Sequence, residues 1–303
     1  MTDPKPPKRI FADAKVDAAA AKHVPSSPQT ESEAYKLAFQ DTDFLLRQDL
    51  RPVRFQLELL KPELLMNEAN IASTFVFYGS ARVPEPGKAK ALLDMAKTDW
   101  DRKVAERLVA KSHYYDIARE LARKASRFPV DEEGNRHFVV CSGGGPSFME
   151  AANRGAHDEG MESIGLNIVL PHEQLPNIFV TPDLSFQFHY FALRKMHFLL
   201  RARAVAVFPG GFGTFDEMFE LLTLIQTGKV RPLPILLFGR EFWERVVDFH
   251  GLAEEGVISP ADLDLITWCE TADEAWDAVC EHYQCTDDQR RGDQRGGGGS
   301  SAR

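Results

Sequence analysis

The strongest chemical pattern in the chain is the segment FPGGFGTFDE, which joins a continuous apolar run to a helical pattern. Its glycines, Gly210, Gly211 and Gly213, let the backbone wrap around an anion because they carry no side chain. Thr214 adds a hydroxyl at the expected start of the helix, either as an N-cap or as a phosphate ligand. Glu217 follows three residues later, so it either completes a capping box with Thr214 or holds a carboxylate beside a phosphate.

A second glycine-rich segment, CSGGGPSFMEAAN, also leads from an apolar run into a helical pattern. Gly143, Gly144 and Gly145 expose backbone N–H groups at the start of that helix, which favours binding of a phosphate or another anion. The spacing is neither the GxGxxG of a dinucleotide-binding fold nor the GK[ST] of a P-loop. Two such turns in one chain indicate a phosphorylated ligand held between them.

A shorter turn, Gly79-Ser80, follows the first apolar run, and Arg82 comes two residues later. The glycine lets the backbone approach a ligand, and the arginine is able to meet an anion. The alternative interpretation is an ordinary tight turn with a solvated arginine.

Two cations, Arg194 and Lys195, interrupt an otherwise apolar helical pattern. Neighbouring residues on a helix point about 100° apart, so at most one of them faces solvent if the other faces the core. A buried arginine needs an anionic partner, which Glu217 or a phosphate can supply. The alternative is a cation that reaches water at the helix end.

Short apolar runs alternate with longer helical patterns through most of the chain, which predicts an α/β fold. The predicted strands are residues 74–78, 138–141, 163–170, 204–208, 234–238 and 265–269. The predicted helices between them are residues 103–127, 147–159, 191–201, 215–227, 241–252 and 272–283. We therefore expect a Rossmann-like open parallel sheet with helices on both faces, whose ligand lies at the carboxyl ends of the strands.

The chain divides by texture into four expected segments. Residues 1–30 read as a disordered leader, and residues 31–70 as an N-terminal helical extension that Pro52 breaks into two helices. Residues 71–285 form the predicted Rossmann-like domain, which contains the three glycine turns, and residues 286–303 a flexible tail.

Composition excludes several classes of protein. The formal net charge is −9, and an acidic protein repels a polymeric nucleic acid. The sequence contains no run of about 18 apolar residues, so no membrane span is predicted. The start has no apolar signal region. The four cysteines form no CxxC pair and no metal-ligand spacing, which favours a reduced, cytoplasmic protein without a metal site.

The motif PGGxGTxxE is matched from Pro209 to Glu217 without a gap, and GGGPSFMEAANRGA, LPHEQ and FHYFALRK accompany it. Together these stretches resemble the LOG family, often labelled lysine decarboxylase-like, in its larger bacterial branch. The resemblance extends over roughly residues 75–283 and implies a modified Rossmann fold. The decarboxylase label is not supported, because that chemistry needs a lysine that binds pyridoxal phosphate.

The resemblance implies hydrolysis of the N-glycosidic bond of a purine nucleoside 5′-monophosphate, such as AMP or a cytokinin riboside monophosphate. The products are the free base and ribose 5-phosphate, and neither a cofactor nor a metal is implied. Arg194 and Glu217 correspond to the family's essential pair, and a homodimer or higher homo-oligomer is expected. The implied nucleotide-binding residues are Gly79, Ser80, Gly143, Gly144, Gly145, Met149, Lys195, Gly210, Gly211, Gly213, Thr214 and Thr223.

One alternative is a non-catalytic nucleotide-binding sensor or carrier on the same fold. Such a protein needs the glycine turns but not the carboxylate of Glu217. The sequence also departs from the family pattern at Ser147, where the larger branch usually has glycine. A serine there narrows the site if the position needs a positive φ or contacts the ligand, and is harmless otherwise.

Overall fold

Residues 13–171 and 175–292 are described by the computed structural model of the protein. Their centre is a seven-stranded parallel sheet with the order β4-β3-β2-β1-β5-β6-β7. The strands are β1 (Thr74–Tyr78), β2 (Val139–Ser142), β3 (Ile164–Ile168), β4 (Ser185–Phe188), β5 (Ala202–Val207), β6 (Ile235–Phe238) and β7 (Ile266–Cys269). The expected open parallel sheet is confirmed.

Successive side chains of the central strand β1 enter two different apolar cores. Phe75 and Phe77 pack in the core on one face of the sheet, and Val76 and Tyr78 pack in the core on the other. Each of these residues is at most 5% exposed. Burial on both faces explains why the strand reads as one continuous apolar run in the sequence.

The helices of the described residues, in chain order, are α1 (Ala14–Ala20), α2 (Thr42–Leu45), α3 (Arg51–Glu68), α4 (Ala89–Asp94), α5 (Asp99–Val109), α6 (His113–Ser126), α7 (Phe148–Asp158), α8 (Phe191–Leu200), α9 (Phe212–Gln226), α10 (Arg240–Val246), α11 (Phe249–Glu254), α12 (Ala272–Tyr283) and α13 (Asp287–Arg291). Both faces of the sheet are covered by helices that follow Leu59, with α6, α7 and α12 on one face and α8, α9 and α10 on the other. Within the described ranges, none of the helices is long and apolar enough to cross a membrane.

Several predicted elements differ from the structure for local reasons. The helix expected over residues 241–252 is divided into α10 and α11, because Asp248 accepts a hydrogen bond from the Gly251 amide and starts a new helix. The helix expected over 103–127 likewise divides into α5 and α6. Strand β4 was not predicted, since its edge position leaves polar Gln187 exposed and gives no apolar run.

The N-terminal segments also differ from the expectation. Before α3 the extension consists of short 3₁₀ turns and the four-residue α2, rather than the first of the two expected helices. Pro52 is the second residue of α3, where its missing N–H costs no helical hydrogen bond. The described chain divides into two compact units, one up to Glu58 and one from Leu59.

Both terminal segments contain a helix where the sequence favours flexible chain. Asp13 caps α1 through the Lys15 amide, and a capping box between Thr286 and Gln289 starts α13. The Trp276 indole also donates a hydrogen bond to the backbone of α13. The remaining leader and tail, residues 1–12 and 293–303, lie outside the described residues, as do residues 172–174 of the LPHEQ stretch.

The strand order places a topological switch point at β1 and β5. The chain adds β2, β3 and β4 on one side of β1, and then returns to place β5 on the other side. Connections that leave neighbouring strands in opposite directions open a crevice at their carboxyl ends. The glycine turns after β1 and β5 therefore border the expected ligand crevice.

Ser147, at the start of α7, adopts a backbone conformation that favours glycine. Its φ is 64° and its ψ is −125°, and its buried hydroxyl has no hydrogen-bond partner among the described residues. A non-glycine residue in such a region costs about 1–3 kcal/mol. Ser147 is not among the residues that line the ligand crevice, so the departure from glycine strains the turn rather than filling the site.

We expect Ser147→Gly to raise the free energy of unfolding by about 1 kcal/mol, because relief of strain exceeds the greater chain entropy of glycine. Urea unfolding and thermal melting measure the change, which corresponds to about 2–4 °C. Ser147→Ala is the matched control, since it removes the hydroxyl and keeps the positive φ, and should stabilise less. An unchanged or lower stability of Ser147→Gly contradicts this account.

Candidate active site

A cavity of 860 Å³ opens at the switch point between β1 and β5. It is lined by residues from the three glycine turns and from α8, α9 and α10. The predicted site residues that line it are Gly79, Ser80, Gly143, Met149, Arg194, Gly210, Gly211, Gly213, Thr214 and Glu217. Thus one cavity contains all three turns that the sequence singles out.

The turn after β5 is built so that only glycine fits at its centre. A Cβ atom on Gly210 would lie 2.6 Å from the Cβ of Thr214, too close for any side chain. Helix α9 begins at Phe212, with Gly211 as its N-cap. Thr214 is therefore the third helical residue, and the capping box with Glu217 does not form. The first amides of α9 have no partner earlier in the helix and are able to bind an anion.

Hydrogen bonds hold the turns after β1 and β5 together. The Ser80 amide donates to the Pro209 carbonyl over 3.1 Å, and the Phe208 amide donates to the Tyr78 carbonyl over 2.8 Å. Gly79 is also tightly enclosed, because a Cβ atom there would lie 2.6 Å from the ring of Phe148. The two turns consequently form one rigid wall of the cavity.

The triple-glycine turn is fixed from behind by a polar network. The Ser142 hydroxyl accepts from the Gly144 amide and donates to Asn153 Oδ1 over 2.7 Å. Asn177 Nδ2 donates to the carbonyls of Gly144 and Gly145, at 3.1 and 3.0 Å. Gly144 and Gly145 thus form the support of the turn and do not line the cavity, whereas Gly143 does.

Arg194 is fixed in place without a carboxylate partner. Its Nε donates to the Leu166 carbonyl over 2.7 Å, and its guanidinium lies 5.1 Å from the ring centre of Phe198. A Cβ atom on Gly143 would lie 2.7 Å from its Nη2. No carboxylate of the described residues lies within 4.0 Å of it. Burial lowers the pKa of this guanidinium from its usual value, so a ligand anion would be a strongly favoured neighbour.

Glu217 is only 7% exposed and also faces the cavity. Burial raises the pKa of its carboxyl group to about 7, although the positive charges of Lys195 and Arg194 oppose the increase. The nearby carboxylates of Glu220 and Asp216 raise the pKa further. A carboxyl group with this pKa can exchange a proton with water or substrate near neutral pH.

Besides Gly144 and Gly145, the predicted nucleotide-binding residues Lys195 and Thr223 also lie outside the cavity lining. Lys195 Nζ contacts Asp216 Oδ1 at 2.8 Å and Glu220 Oε2 at 3.1 Å. The Thr223 hydroxyl donates to the Phe219 carbonyl, one turn earlier on α9. Lys195 acts on Glu217 through its charge, and direct nucleotide contacts by both residues stay predictions.

The sequence did not single out the apolar part of the cavity. Phe191, Phe212, Phe242 and Val246 line its rim, and Phe212 is 96% exposed. An aromatic base can stack on such side chains. The unusual signal in the sequence is a phenylalanine between the glycines of the PGGFGT turn, where an exposed aromatic residue has no role in packing. Tyr78, the last residue of β1, also lines the cavity, and the sequence pattern did not identify it.

Comparison with known proteins finds similar sequences. The family model described as "Possible lysine decarboxylase" matches residues 149–279. The cytokinin riboside 5′-monophosphate phosphoribohydrolase LOG3 of Arabidopsis thaliana is 27% identical over 179 residues, which cover 58% of this chain and 78% of that protein. The pyrimidine/purine nucleotide 5′-monophosphate nucleosidase of Escherichia coli K12 is 28% identical over 140 residues, 41% of this chain and 29% of that protein.

Among solved structures, the molybdenum cofactor carrier protein of Chlamydomonas reinhardtii covers 70% of this chain and 99% of its own, with 16% identity and a TM-score of 0.41. A likeness at this level decides nothing about function.

The family match begins in the first turn of α7 and ends in α12, so it includes Arg194, Glu217 and the whole PGGFGT turn. Over these residues the chain is therefore similar to proteins of the LOG family and to the family model described as a possible lysine decarboxylase.

Proposed function

We propose that this protein hydrolyses the N-glycosidic bond of a purine nucleoside 5′-monophosphate, AMP or a cytokinin riboside monophosphate. Water and the nucleotide give the free base and ribose 5-phosphate. The observation that carries the proposal is the arrangement of Arg194, fixed without a carboxylate partner, beside Glu217, whose pKa is about 7. Both side chains line one cavity with the glycine turns.

In this proposal the phosphate determines how the substrate lies. The first amides of α9 and the hydroxyl of Thr214 bind the phosphate oxygens, and the absence of side chains at Gly211 and Gly213 leaves them accessible. The guanidinium of Arg194 contacts the same phosphate or donates hydrogen bonds to the ribose hydroxyls. Fixed positioning of this kind lowers the activation free energy, because the substrate has already lost its translational and rotational freedom on binding.

Glu217 would perform the chemistry at the sugar. Cleavage of the bond between C1′ and N9 builds positive charge on the ribose, as in other glycoside hydrolyses. An ionised carboxylate stabilises this charge and accepts a proton from the attacking water. The oxygen of water bonds to C1′ as the bond to N9 breaks. One proton of the water stays on the new C1′ hydroxyl, and the proton that Glu217 accepts balances the one that the released base gains.

Two other functions receive less support from the cavity. Decarboxylation through pyridoxal phosphate needs a lysine, and among the described residues no lysine lines the cavity. A non-catalytic sensor or carrier would bind nucleotide in the same turns, but it needs no carboxylate with a raised pKa beside them. The homodimer implied by the resemblance remains a proposal.

Replacement of Glu217 by glutamine tests the catalytic role. We expect Glu217→Gln to lower the turnover of AMP by about 10²–10⁴-fold, because it removes the general base and the stabilising charge. Chromatography of released adenine measures the loss. Glu281→Gln, a matched change at an exposed position of α12, should retain full activity. Turnover by Glu217→Gln equal to that of the parent would remove this residue from the mechanism.

The pH dependence gives a second test. Because Glu217 must be ionised and burial raises its pKa to about 7, kcat/KM for AMP should rise up to about pH 7 and then level off. Below pH 6 it should fall about tenfold per pH unit. A profile that stays flat from pH 5 to pH 9, or that falls with increasing pH, is inconsistent with Glu217 as the base.

Gly143→Ala tests the placement of Arg194. The added methyl group would lie 2.7 Å from Arg194 Nη2 and 2.9 Å from Met149 Sδ, so the flexible side chains must move. We expect AMP binding to weaken about tenfold or more, since one charge-assisted hydrogen bond contributes about 1.5–3 kcal/mol. Calorimetry measures the dissociation constant, and Gly87→Ala, with no atom within 4 Å of its added Cβ, is the control. Equal affinities of both variants would show that Arg194 does not contact the nucleotide.

A further inference from the structure

Tyr78 brings a buried hydroxyl group into the site without an assigned role. It is the last residue of β1, is 5% exposed and lines the cavity. Its phenolic oxygen has no hydrogen-bond partner among the described residues. A buried donor without an acceptor destabilises a fold, whereas phenylalanine would fill the same space at no such cost. The hydroxyl therefore needs a hydrogen-bond acceptor, and none of the described residues supplies one.

The Glu217 carboxylate, in turn, lacks a hydrogen-bond donor within the described part of the chain. It is buried in the same cavity, and no side chain or amide of the described residues donates a hydrogen bond to it. An ionised carboxylate in a buried site needs such donors. A buried hydroxyl without an acceptor and a carboxylate without a donor among the described residues thus line a single cavity.

The other charged groups around this pair are already engaged. Glu220 and Asp216 contact Lys195, and Arg194 donates to the Leu166 carbonyl. Cys141, from β2, lies near the phenol but is a weak acceptor. Glu217 is also the charged group that acts most strongly on the phenol of Tyr78, which leaves it as the acceptor.

Aromatic packing fixes the orientation of the tyrosine. The Tyr78 ring contacts the edge of Phe198, with ring centres 5.1 Å apart and an angle of 76°. The guanidinium of Arg194 lies over the same phenylalanine. Phe198 thus connects the tyrosine and the arginine in one stack, which holds the Tyr78 ring in the cavity that Glu217 also lines.

We propose that Tyr78 is a positioning residue whose hydroxyl donates a hydrogen bond to the ionised carboxylate of Glu217. This inference rests on the proposed function, which makes Glu217 the base. The hydrogen bond holds one carboxylate oxygen at the floor of the cavity and leaves the other for water and C1′. It also favours the ionised form against burial, and so keeps the carboxylate available near neutral pH.

A direct titration of Glu217 tests the hydrogen bond without any enzymatic reaction. Carbon-13 NMR of protein labelled at the glutamate carboxyl groups identifies Glu217 as the signal that is missing in Glu217→Gln. In Tyr78→Phe we expect its titration midpoint to rise by about one pH unit. Tyr114→Phe is the matched control, because it removes a tyrosine–glutamate hydrogen bond of 2.6 Å outside the cavity. A midpoint unchanged by Tyr78→Phe, or changed equally by Tyr114→Phe, overturns the proposal.

An activity measurement gives an independent comparison. Tyr78→Phe should lower kcat/KM for AMP about tenfold at pH 6 and only slightly at pH 9, where Glu217 is ionised in both proteins. A loss of the same size at both pH values contradicts the assigned role. If the parent releases no adenine from AMP, the proposed function fails, while the NMR titration still decides whether Tyr78 and Glu217 are bonded.

Discussion

The site depends on two ionisable groups that the fold removes from water without pairing them closely to each other. Arg194 is fixed by a backbone carbonyl and an aromatic ring. Burial of Glu217 raises the pKa of its carboxyl group to about 7. Unpaired burial of this kind is costly in free energy. In the proposed function this cost is compensated when an anionic ligand neutralises the arginine and a positively charged sugar forms beside the glutamate. The proposal therefore accounts for two buried charges that the described part of the protein leaves without close partners.

The parallel sheet makes this arrangement possible. Its order places the ends of β1 and β5 side by side, and a hydrogen bond from Ser80 to Pro209 connects the turns that follow them. The triple-glycine turn is held from behind by Asn153 and Asn177. Because the backbone is fixed before a ligand arrives, little ordering is needed when the phosphate binds.

Local patterns in the sequence were sufficient for the fold class and for most of the cavity. The continuous apolar strands and the glycine turns after them are encoded by neighbouring residues. Contacts between distant segments were not accessible in this way: Thr214 looked like an N-cap until the structure placed the start of α9 at Phe212. For the same reason Tyr78 read as an ordinary strand residue, and Lys195 and Thr223 could not be distinguished from residues that line the cavity. The edge strand β4 was missed because its pairing with β3, rather than its own composition, defines it.

The central claim is that the cavity recognises the phosphate of a nucleotide and thereby places its sugar against Glu217. Calorimetric titration of the Glu217→Gln protein with AMP, ribose 5-phosphate and adenosine tests it without turnover. The account predicts that AMP and ribose 5-phosphate bind and that adenosine, which lacks the phosphate, binds at least about 100-fold more weakly than AMP. Equal affinities for AMP and adenosine would contradict it.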